Sequence, residues 1–233
     1  MKDFTLHALN TQPRDKNTPG DSPVVYIYYS VLDKRLTETS FRYLMQQFPS
    51  DIQNKIRRFH RWEDQHRSLL GKLLLKGGLN RIGLNYSLTD LKYTEFSRPY
   101  FDKQIDFNIS HSGQYTVCAI SKIRVGIDIE EILPIPLVNF DSLFSPQEWK
   151  YIQQAKNSLQ AFYTLWTQKE SFVKAVGTGL HLPLNEVVVR HNKIYRNNEV
   201  WHTHEINLDQ RHISYLSVLS ATPELQLQRL YFS

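Results

Sequence analysis

Hydrophobic and polar residues alternate with a period of two in several stretches of the chain, a pattern typical of half-buried β-strands. The clearest example is VGIDIE at 125–130, where every second side chain is a branched apolar one. The same alternation, or a β-branched and aromatic run, predicts strands at Val24–Val31, Leu91–Glu95, Asp106–Ser110, Tyr115–Ser121, Val125–Ile132, Val187–Tyr195, Glu199–Ile206, Ile213–Leu219 and Leu225–Phe232.

Apolar residues recur instead with helical spacing in two long segments, Glu63–Leu79 and Ser158–Val176, each of which meets glycine at its end. Shorter helices are predicted over Lys34–Phe48 and from Ser50 to Phe59. The tetrapeptide SPQE at 145–148 is a helix-start signature, with a serine cap, proline at the first helical position and glutamate three residues after the cap.

These strands and helices do not alternate regularly along the chain. We therefore expect an α+β fold with antiparallel sheets rather than a doubly wound parallel sheet. Residues 1–23, polar and rich in proline, are predicted to be a loose lead-in. Residues 24–112 then form an N-terminal half, and residues 113–233 form a C-terminal half.

Composition narrows the class of protein. The 233 residues are 41% hydrophobic and carry a formal net charge of +5, which indicates a folded chain with an anionic partner. The most basic stretch, Lys55–Arg67, is interrupted by Glu63 and Asp64, which makes it a weak nucleic-acid arm. No apolar run is long enough to span a bilayer, and the N-terminus lacks a secretory core. With one cysteine, Cys118, that cannot form an intramolecular disulfide, we expect a cytoplasmic protein.

Asp128 and Glu130 are candidate metal ligands. On a strand their side chains leave the same face, and two carboxylates on an apolar central strand are costly without a cation. Hard oxygen donors of this kind suit Mg²⁺, whereas a solvated outer strand face is the plain alternative. Glu148 is a third possible ligand, although its place after the Ser145 cap is explained by helix capping alone.

A second candidate cluster lies on the predicted helix 158–176. Trp166, Glu170 and Lys174 are four residues apart, so they lie along one side of that helix. Glu170 and Lys174 could be an ordinary surface ion pair. If Trp166 buries this side of the helix, Glu170 could instead serve as a general base, and Lys174 could neutralise a leaving phosphate.

Ser110 and His111 are adjacent in an extended segment, so their side chains point to opposite faces and His111 is poorly placed to deprotonate Ser110. Phosphate binding and simple turn chemistry remain equally open for this pair. The sequence contains no GxxxxGK[ST], GxGxxG or HExxH motif, which removes several common enzyme classes.

Taken together, five stretches of the chain resemble the 4′-phosphopantetheinyl transferases of the surfactin-synthetase-activating (Sfp) type. In chain order they are KIRRFHRWEDQHRSLLG at 55–71, FNISHSG at 107–113, VGIDIE at 125–130, WTQKESFVK at 166–174 and GLHLP at 179–183. The resemblance covers residues 24–220 and rests on the order and spacing of these blocks.

The resemblance implies two α+β halves related by a pseudo-twofold axis, each a long helix on a small antiparallel sheet, with the site in the cleft between them. The N-terminal half would bind coenzyme A, and the C-terminal half would carry the metal and catalytic residues. The implied reaction transfers the phosphopantetheine arm of coenzyme A to a serine of an apo carrier protein and releases 3′,5′-ADP. The carrier would be an acidic helical domain of a fatty-acid, polyketide or peptide synthase.

The same resemblance implies roles for individual residues. Mg²⁺ would be held against the pyrophosphate of coenzyme A by Asp128, Glu130 and Glu148. Glu170 would take the proton of the carrier serine, and Lys174 would stabilise the departing 3′,5′-ADP. The residues that match positions in contact with coenzyme A are Lys55, Ser68, Arg98, Ser110 and His111, with His111 against the 3′-phosphate.

The chain departs from the family pattern in two places. The family often has a lysine three residues before Lys55, where this chain has Ile52, so part of the expected clamp on the 3′-phosphate is missing. The family's usual Gly-Lys-Pro turn is replaced by Ser97-Arg98-Pro99. Arginine keeps the charge and adds a bidentate fork, so this contact is expected to survive.

A single chain would supply both halves of the site, so we expect a monomer that contacts neither nucleic acid nor membrane. Two alternatives belong to other classes. A Mg²⁺-dependent hydrolase of coenzyme A or nucleotide pyrophosphates would release its product without a carrier. A non-catalytic basic binding module would bind without Mg²⁺ and tolerate the loss of Glu170.

Overall fold

The computed structural model describes residues 22–101 and 104–232, so the predicted lead-in lies almost entirely outside the described residues. The helices are α1 Glu38–Met45, α2 Ser50–Arg57, α3 Trp62–Arg81, α4 Pro146–Gln154 and α5 Ser158–Val176. The strands are β1 Val24–Val31, β2 Lys92–Tyr93, β3 Pro99–Tyr100, β4 Asp106–Ser112, β5 Tyr115–Ser121, β6 Val125–Glu131, β7 Val189–Arg190, β8 Lys193–Arg196, β9 Glu199–Glu205, β10 His212–Val218 and β11 Glu224–Arg229. None of the helices in these ranges is long and apolar enough to cross a membrane.

The first sheet has the strand order β11-β1-β5-β4, and α3 packs across it. Leu70 and Leu74 of α3 are buried in the same apolar cluster as Phe107 and Ile120 of the sheet. β5 pairs antiparallel to both β1 and β4, as predicted, but β11 runs parallel to β1. This pair departs from the predicted antiparallel arrangement because the end of the chain returns to the first sheet after completing the second.

The second sheet has the order β6-β10-β9-β8-β7 with antiparallel pairs, and α5 packs across it. Because β5 belongs to the first sheet and β6 to the second, the sheets separate between Ser121 and Val125, not at 112/113 where the sequence placed the boundary.

The single strand predicted over 187–195 is wrong. His191 and Asn192 have φ of 50° and 58°, and they turn this segment into the β7–β8 hairpin.

Helix α5 lies directly on β6 because residue 126 is glycine. A Cβ atom at Gly126 would collide with the backbone of Ser171 and Ala175. The helix begins after an Asn157 cap and ends at Gly177, which has a φ of 77°. This close approach sets the position of the last turns of α5 relative to the acidic end of β6.

The two halves are joined by a seam at which β4 and β6 run side by side without pairing as strands. Side chains two residues apart on β4 point the same way, and those at 106, 108, 110 and 112 are all polar. Three of them accept hydrogen bonds from backbone N–H groups of β6: Asp106 Oδ2 from Val125 at 2.9 Å, Asn108 Oδ1 from Ile127 at 2.9 Å, and Ser112 Oγ from Glu131 at 3.0 Å. The fourth, Ser110, faces the carboxylates of β6.

Candidate active site

Lys174, Asp128 and Ser110 meet where α5 passes over the seam. Lys174 Nζ donates to Asp128 Oδ1 at 2.5 Å and to Ser110 Oγ at 2.8 Å, and Ser110 Oγ donates to Asp128 Oδ1 at 2.9 Å. Asp128 is only 2% exposed, so its charge depends on these partners. Three residues predicted from separate sequence blocks therefore form one cluster.

Glu130 lies two residues further along β6 and faces the same side as Asp128, as predicted. Its Oε2 accepts a hydrogen bond from Ser112 Oγ at 2.9 Å, and its Oε1 accepts one from Trp166 Nε1 at 3.4 Å. Burial raises the pKa of Glu130, and the charge of Asp128 raises it further. Both effects disfavour the ionised form of Glu130, and a cation bound beside it would offset them.

Glu170 lies one helical turn before Lys174 and faces the same cluster. Burial raises the pKa of Glu170 above its usual range, the charge of Asp128 raises it further, and Lys174 opposes this shift. Across the ranges that the structure describes, the carboxylate of Glu170 forms no hydrogen bond. Its oxygens are therefore available to a ligand.

A cleft of about 300 Å³ opens beside Glu170 and Lys174 and receives residues from both halves. Its lining includes Phe96, Arg98 and Asn108 from the first half, and Val173, Gly177, Leu182 and Leu184 from the second. The predicted base and the predicted phosphate-binding lysine thus face one space between the two sheets.

Arg98 lies at this cleft, but an internal carboxylate already engages its guanidinium group. Its Nη2 donates to Asp106 Oδ2 at 2.8 Å and to the Val125 carbonyl at 3.0 Å. The side-chain stem packs against Gly177, where a Cβ would lie 2.5 Å from Arg98 Cδ. Arg98 therefore stabilises the wall of the cleft through these contacts and also places a positive charge beside the cleft.

His111 follows Ser110 on β4. His111 keeps an exposed surface, but partial desolvation by the surrounding protein lowers its pKa, and the charges of Arg67 and Lys174 lower it further, which favours the neutral ring. Arg67 donates through Nε and Nη2 to the Gly113 carbonyl at 3.0 and 2.7 Å. Sequence reasoning did not single out Arg67, although it lies in the basic block, because its partner is a backbone oxygen of a distant turn.

Lys55 and Ser68, the other two predicted contacts with coenzyme A, lie on α2 and α3 and have no contact with the carboxylate cluster among the described residues. Lys55 Nζ donates to the Tyr93 hydroxyl at 3.2 Å and lies 4.6 Å from the centroid of its ring. Ser68 is half-buried on α3.

Glu148, the third predicted metal ligand, is not placed with Asp128 and Glu130. Its Oε2 accepts hydrogen bonds from the Ser145 backbone and from Lys169 Nζ, both at 2.8 Å, and its Oε1 accepts one from the Val189 backbone at 3.0 Å. The capping box predicted from Ser145 is present, and Lys169 forms a fully buried ion pair with Glu148. Both oxygens of the Glu148 carboxylate are therefore occupied by contacts that stabilise the fold.

Asp128, Glu130 and Glu170 are the carboxylates left as candidate ligands of a divalent cation. No group of three or more His, Cys, Asp or Glu side chains within the described ranges is already arranged around a metal position. However, Asp128 Oδ2 is buried and has no hydrogen-bond partner there. With Glu130 and Glu170 nearby, this oxygen fits an ion such as Mg²⁺, which takes few protein ligands and completes its shell with water and phosphate oxygens.

Two family descriptions match adjoining parts of the chain. The N-terminal region of 4′-phosphopantetheinyl transferases matches residues 35–123, and the 4′-phosphopantetheinyl transferase superfamily matches residues 124–221. The limit between the two matches falls between β5 and β6, where the two sheets separate.

Individual relatives carry the same name. The chain is 36% identical to 4′-phosphopantetheinyl transferase gsp of Aneurinibacillus migulanus, over 68% of this chain and 70% of the relative. It is also 36% identical to 4′-phosphopantetheinyl transferase Sfp of Bacillus subtilis strain 168, over 70% of this chain and 75% of the relative. A crystal structure of Thermotoga maritima holo-[acyl-carrier-protein] synthase matches 43% of this chain and 64% of its own at 21% identity, with a TM-score of 0.34 that is too low to support a comparison of folds.

The extent of the Aneurinibacillus and Bacillus matches, over two thirds of each relative, confirms the resemblance found in the sequence. The chain belongs to the 4′-phosphopantetheinyl transferase family.

Proposed function

We propose that this protein transfers the 4′-phosphopantetheine arm of coenzyme A to a serine hydroxyl of an apo carrier protein. The serine oxygen forms a bond to the phosphorus that bears the pantetheine arm, and the bond from that phosphorus to the bridging oxygen breaks to release 3′,5′-ADP. The observation that carries the proposal is that Glu170 and Lys174 line one cleft between the two sheets, with Lys174 also in contact with the buried carboxylate of Asp128.

Glu170 is proposed as the base that accepts the proton of the carrier serine. Its carboxylate lines the cleft, and its raised pKa makes it a stronger base than an exposed glutamate. The charge of Asp128 raises that pKa further, and the charge of Lys174 opposes the shift.

Asp128 and Glu130 are proposed to hold Mg²⁺, with Glu170 close enough to contribute. The ion would supply positive charge that neutralises the pyrophosphate. Ser112 and Trp166 fix both oxygens of Glu130, and Ser110 fixes one oxygen of Asp128, so the carboxylates are oriented before substrate arrives. Glu148 is left out of this set because its oxygens are occupied by Ser145, Lys169 and Val189.

Lys174 is proposed to bind the phosphate oxygens of the departing 3′,5′-ADP. Its side chain is 29% exposed and faces the cleft, so a modest rotation reaches an anion there. His111, neutral beside Arg67, would donate a hydrogen bond to a phosphate of coenzyme A, and Arg98 would add charge at the cleft wall.

The partner is proposed to be an acidic carrier domain, because the chain carries a net charge of +5 and would attract it. We also propose that the protein acts as a monomer, since both sides of the cleft come from one chain. A cytoplasmic location is proposed because the single cysteine cannot form an intramolecular disulfide.

Release of 3′,5′-ADP from coenzyme A, measured with and without an apo carrier protein, tests this proposal. Release that requires the carrier, and that stops with EDTA, supports a Mg²⁺-dependent transferase. Release at the same rate without any carrier would assign a hydrolase instead.

A further inference from the structure

Arg124, the residue before β6, binds the last turn of α5. Its Nη2 donates to the carbonyl oxygen of Val176 at 2.9 Å and to that of Ala175 at 3.4 Å. These carbonyls belong to the last two residues of the helix, beyond which no further helical turn supplies N–H donors. A cation at this end is also favoured by the helix dipole. Arg124 therefore caps α5 through both its hydrogen bonds and its charge.

An aromatic ring holds the guanidinium group of Arg124 in place. The group lies 5.5 Å from the centroid of Trp201 in β9, and the side chain of Trp201 is fully buried. Trp201 in turn contacts Phe172, one turn before Val176 on α5, with 5.5 Å between the ring centroids. Arg124 is therefore fixed between the second sheet and the end of the helix, although part of its side chain is exposed.

The turn that Arg124 binds also carries Lys174. Lys174 directly precedes Ala175, and Gly177, which ends the helix, lines the cleft together with Lys174. Arg124 and Val176 line a second, smaller cavity instead. Arg124 thus holds the turn from outside the cleft and does not itself contact the space in which the reaction is proposed to occur.

We propose that Arg124 is a positioning residue for the transfer reaction. This inference rests on the proposed function. Lys174 must leave Asp128 to bind the departing 3′,5′-ADP, so its ammonium group moves while its backbone has to stay in place. Arg124 fixes that backbone by binding the carbonyl end of α5. Without these bonds the last turn frays, and the ammonium of Lys174 is less often in position to stabilise the leaving group.

Arg124→Met tests the assignment, because it keeps much of the side-chain length and removes both the hydrogen bonds and the charge. Single-turnover transfer to an apo carrier protein is expected to slow about fivefold. Coenzyme A should bind within about twofold of wild type in calorimetric titration, because Arg124 acts on the leaving group only through Lys174. Arg124→Lys keeps the charge at the helix end and should recover part of the rate.

Arg196→Met is the matched control. Arg196 lines the same second cavity as Arg124 but has no hydrogen bond to α5 among the described residues, so this variant should transfer at the wild-type rate. The melting temperature of each variant is measured, and rates are compared at a temperature at which all variants are folded.

A double-variant cycle with Lys174→Met separates positioning of the lysine from a general loss of structure. If Arg124 acts through Lys174, Arg124→Met should slow transfer no further in a chain that already carries Lys174→Met. An equal loss of rate in both backgrounds, or no loss in either, would overturn the positioning role while leaving the transferase proposal intact. A wild-type chain that modifies no carrier would overturn both.

Discussion

Lys174 Nζ lies 2.5 Å from Asp128 Oδ1, in an ion pair whose aspartate side chain is 3% exposed and whose lysine side chain is 29% exposed. In the ligand-free chain, the lysine proposed to bind the leaving group therefore neutralises the carboxylate proposed to bind the metal. Because both cations would use the same carboxylate, we infer that metal binding and the release of Lys174 into the cleft are coupled.

Lys174→Met is expected to tighten the binding of Mn²⁺, used in place of Mg²⁺, to the ligand-free chain by about tenfold, because it removes a competing cation from Asp128. Titration followed by electron paramagnetic resonance of unbound Mn²⁺ measures this directly, and Lys174→Arg, which keeps the charge, is the control. Unchanged or weaker Mn²⁺ binding by Lys174→Met would show that the lysine and the metal do not compete.

Glu170→Gln is expected to lower the transfer rate by about 10²- to 10⁴-fold, because the amide cannot accept the proton of the carrier serine. Coenzyme A binding should remain close to wild type, since Gln occupies the same volume and no hydrogen bond of the described structure is lost. Single-turnover transfer and calorimetric binding separate the two effects. A variant that turns over near the wild-type rate would rule out Glu170 as the base.

Glu170→Gln should also stabilise the ligand-free fold in a pH-dependent way. The pKa of Glu170 is raised in the folded state, so folding disfavours its ionised form and the charge costs stability at neutral pH. This cost diminishes as the pH falls through the raised pKa and is absent below the ordinary value of 4.5. We therefore expect a higher melting temperature than wild type at pH 7 and the same one well below pH 4.5. An equal gain at both pH values would contradict the assigned cause.

Lys169→Met should cost about 3–5 kcal/mol of the free energy of unfolding, because it leaves the buried carboxylate of Glu148 without its cation. Removing both charges with Glu148→Gln and Lys169→Met should restore part of that loss. Urea unfolding of the single and double variants measures these differences.

Glu148→Gln gives a separate test of the metal site, because it should leave Mn²⁺ binding within about twofold of wild type. Loss of Mn²⁺ binding in a variant that remains folded would return Glu148 to the set of ligands.

Asn108→Ala should destabilise the chain by about 1–3 kcal/mol, because the N–H of buried Ile127 loses its acceptor at the seam. Asn108→Asp keeps an acceptor oxygen and is the matched control, expected to lose less in urea unfolding. Equal losses in the two variants would mean that this hydrogen bond does not hold the halves together.

Much of the fold followed from local pattern. The helices predicted over 63–79 and 158–176 are observed as α3 and α5 because apolar spacing is a local signal. Gly177 ends α5 as predicted, whereas α3 continues past Gly77 and Gly78 to Arg81. The capping box of Ser145 was equally local and is present. The parallel pairing of β1 with β11 was not accessible, since it joins the two ends of the described chain and no local pattern encodes it.

The candidate site likewise contains residues that local spacing identifies and residues whose role depends on contacts between distant elements. Asp128, Glu130, Glu170 and Lys174 were identified because their spacing on a strand and a helix already places them on shared faces. Glu148 could be a cap or a ligand from sequence alone, and its partner Lys169, on another helix, favours the structural role. The side chains of β4 that bind the backbone of β6 were missed because alternation predicts a strand but not its neighbour.

The most direct test of the central claim is intact-protein mass spectrometry of an apo acyl carrier protein incubated with this chain, coenzyme A and Mg²⁺. The account predicts a mass increase of one phosphopantetheinyl group, absent with EDTA and absent when the acceptor serine of the carrier is replaced by alanine. An unmodified carrier across fatty-acid, polyketide and peptide types, with coenzyme A consumed or untouched, would contradict it.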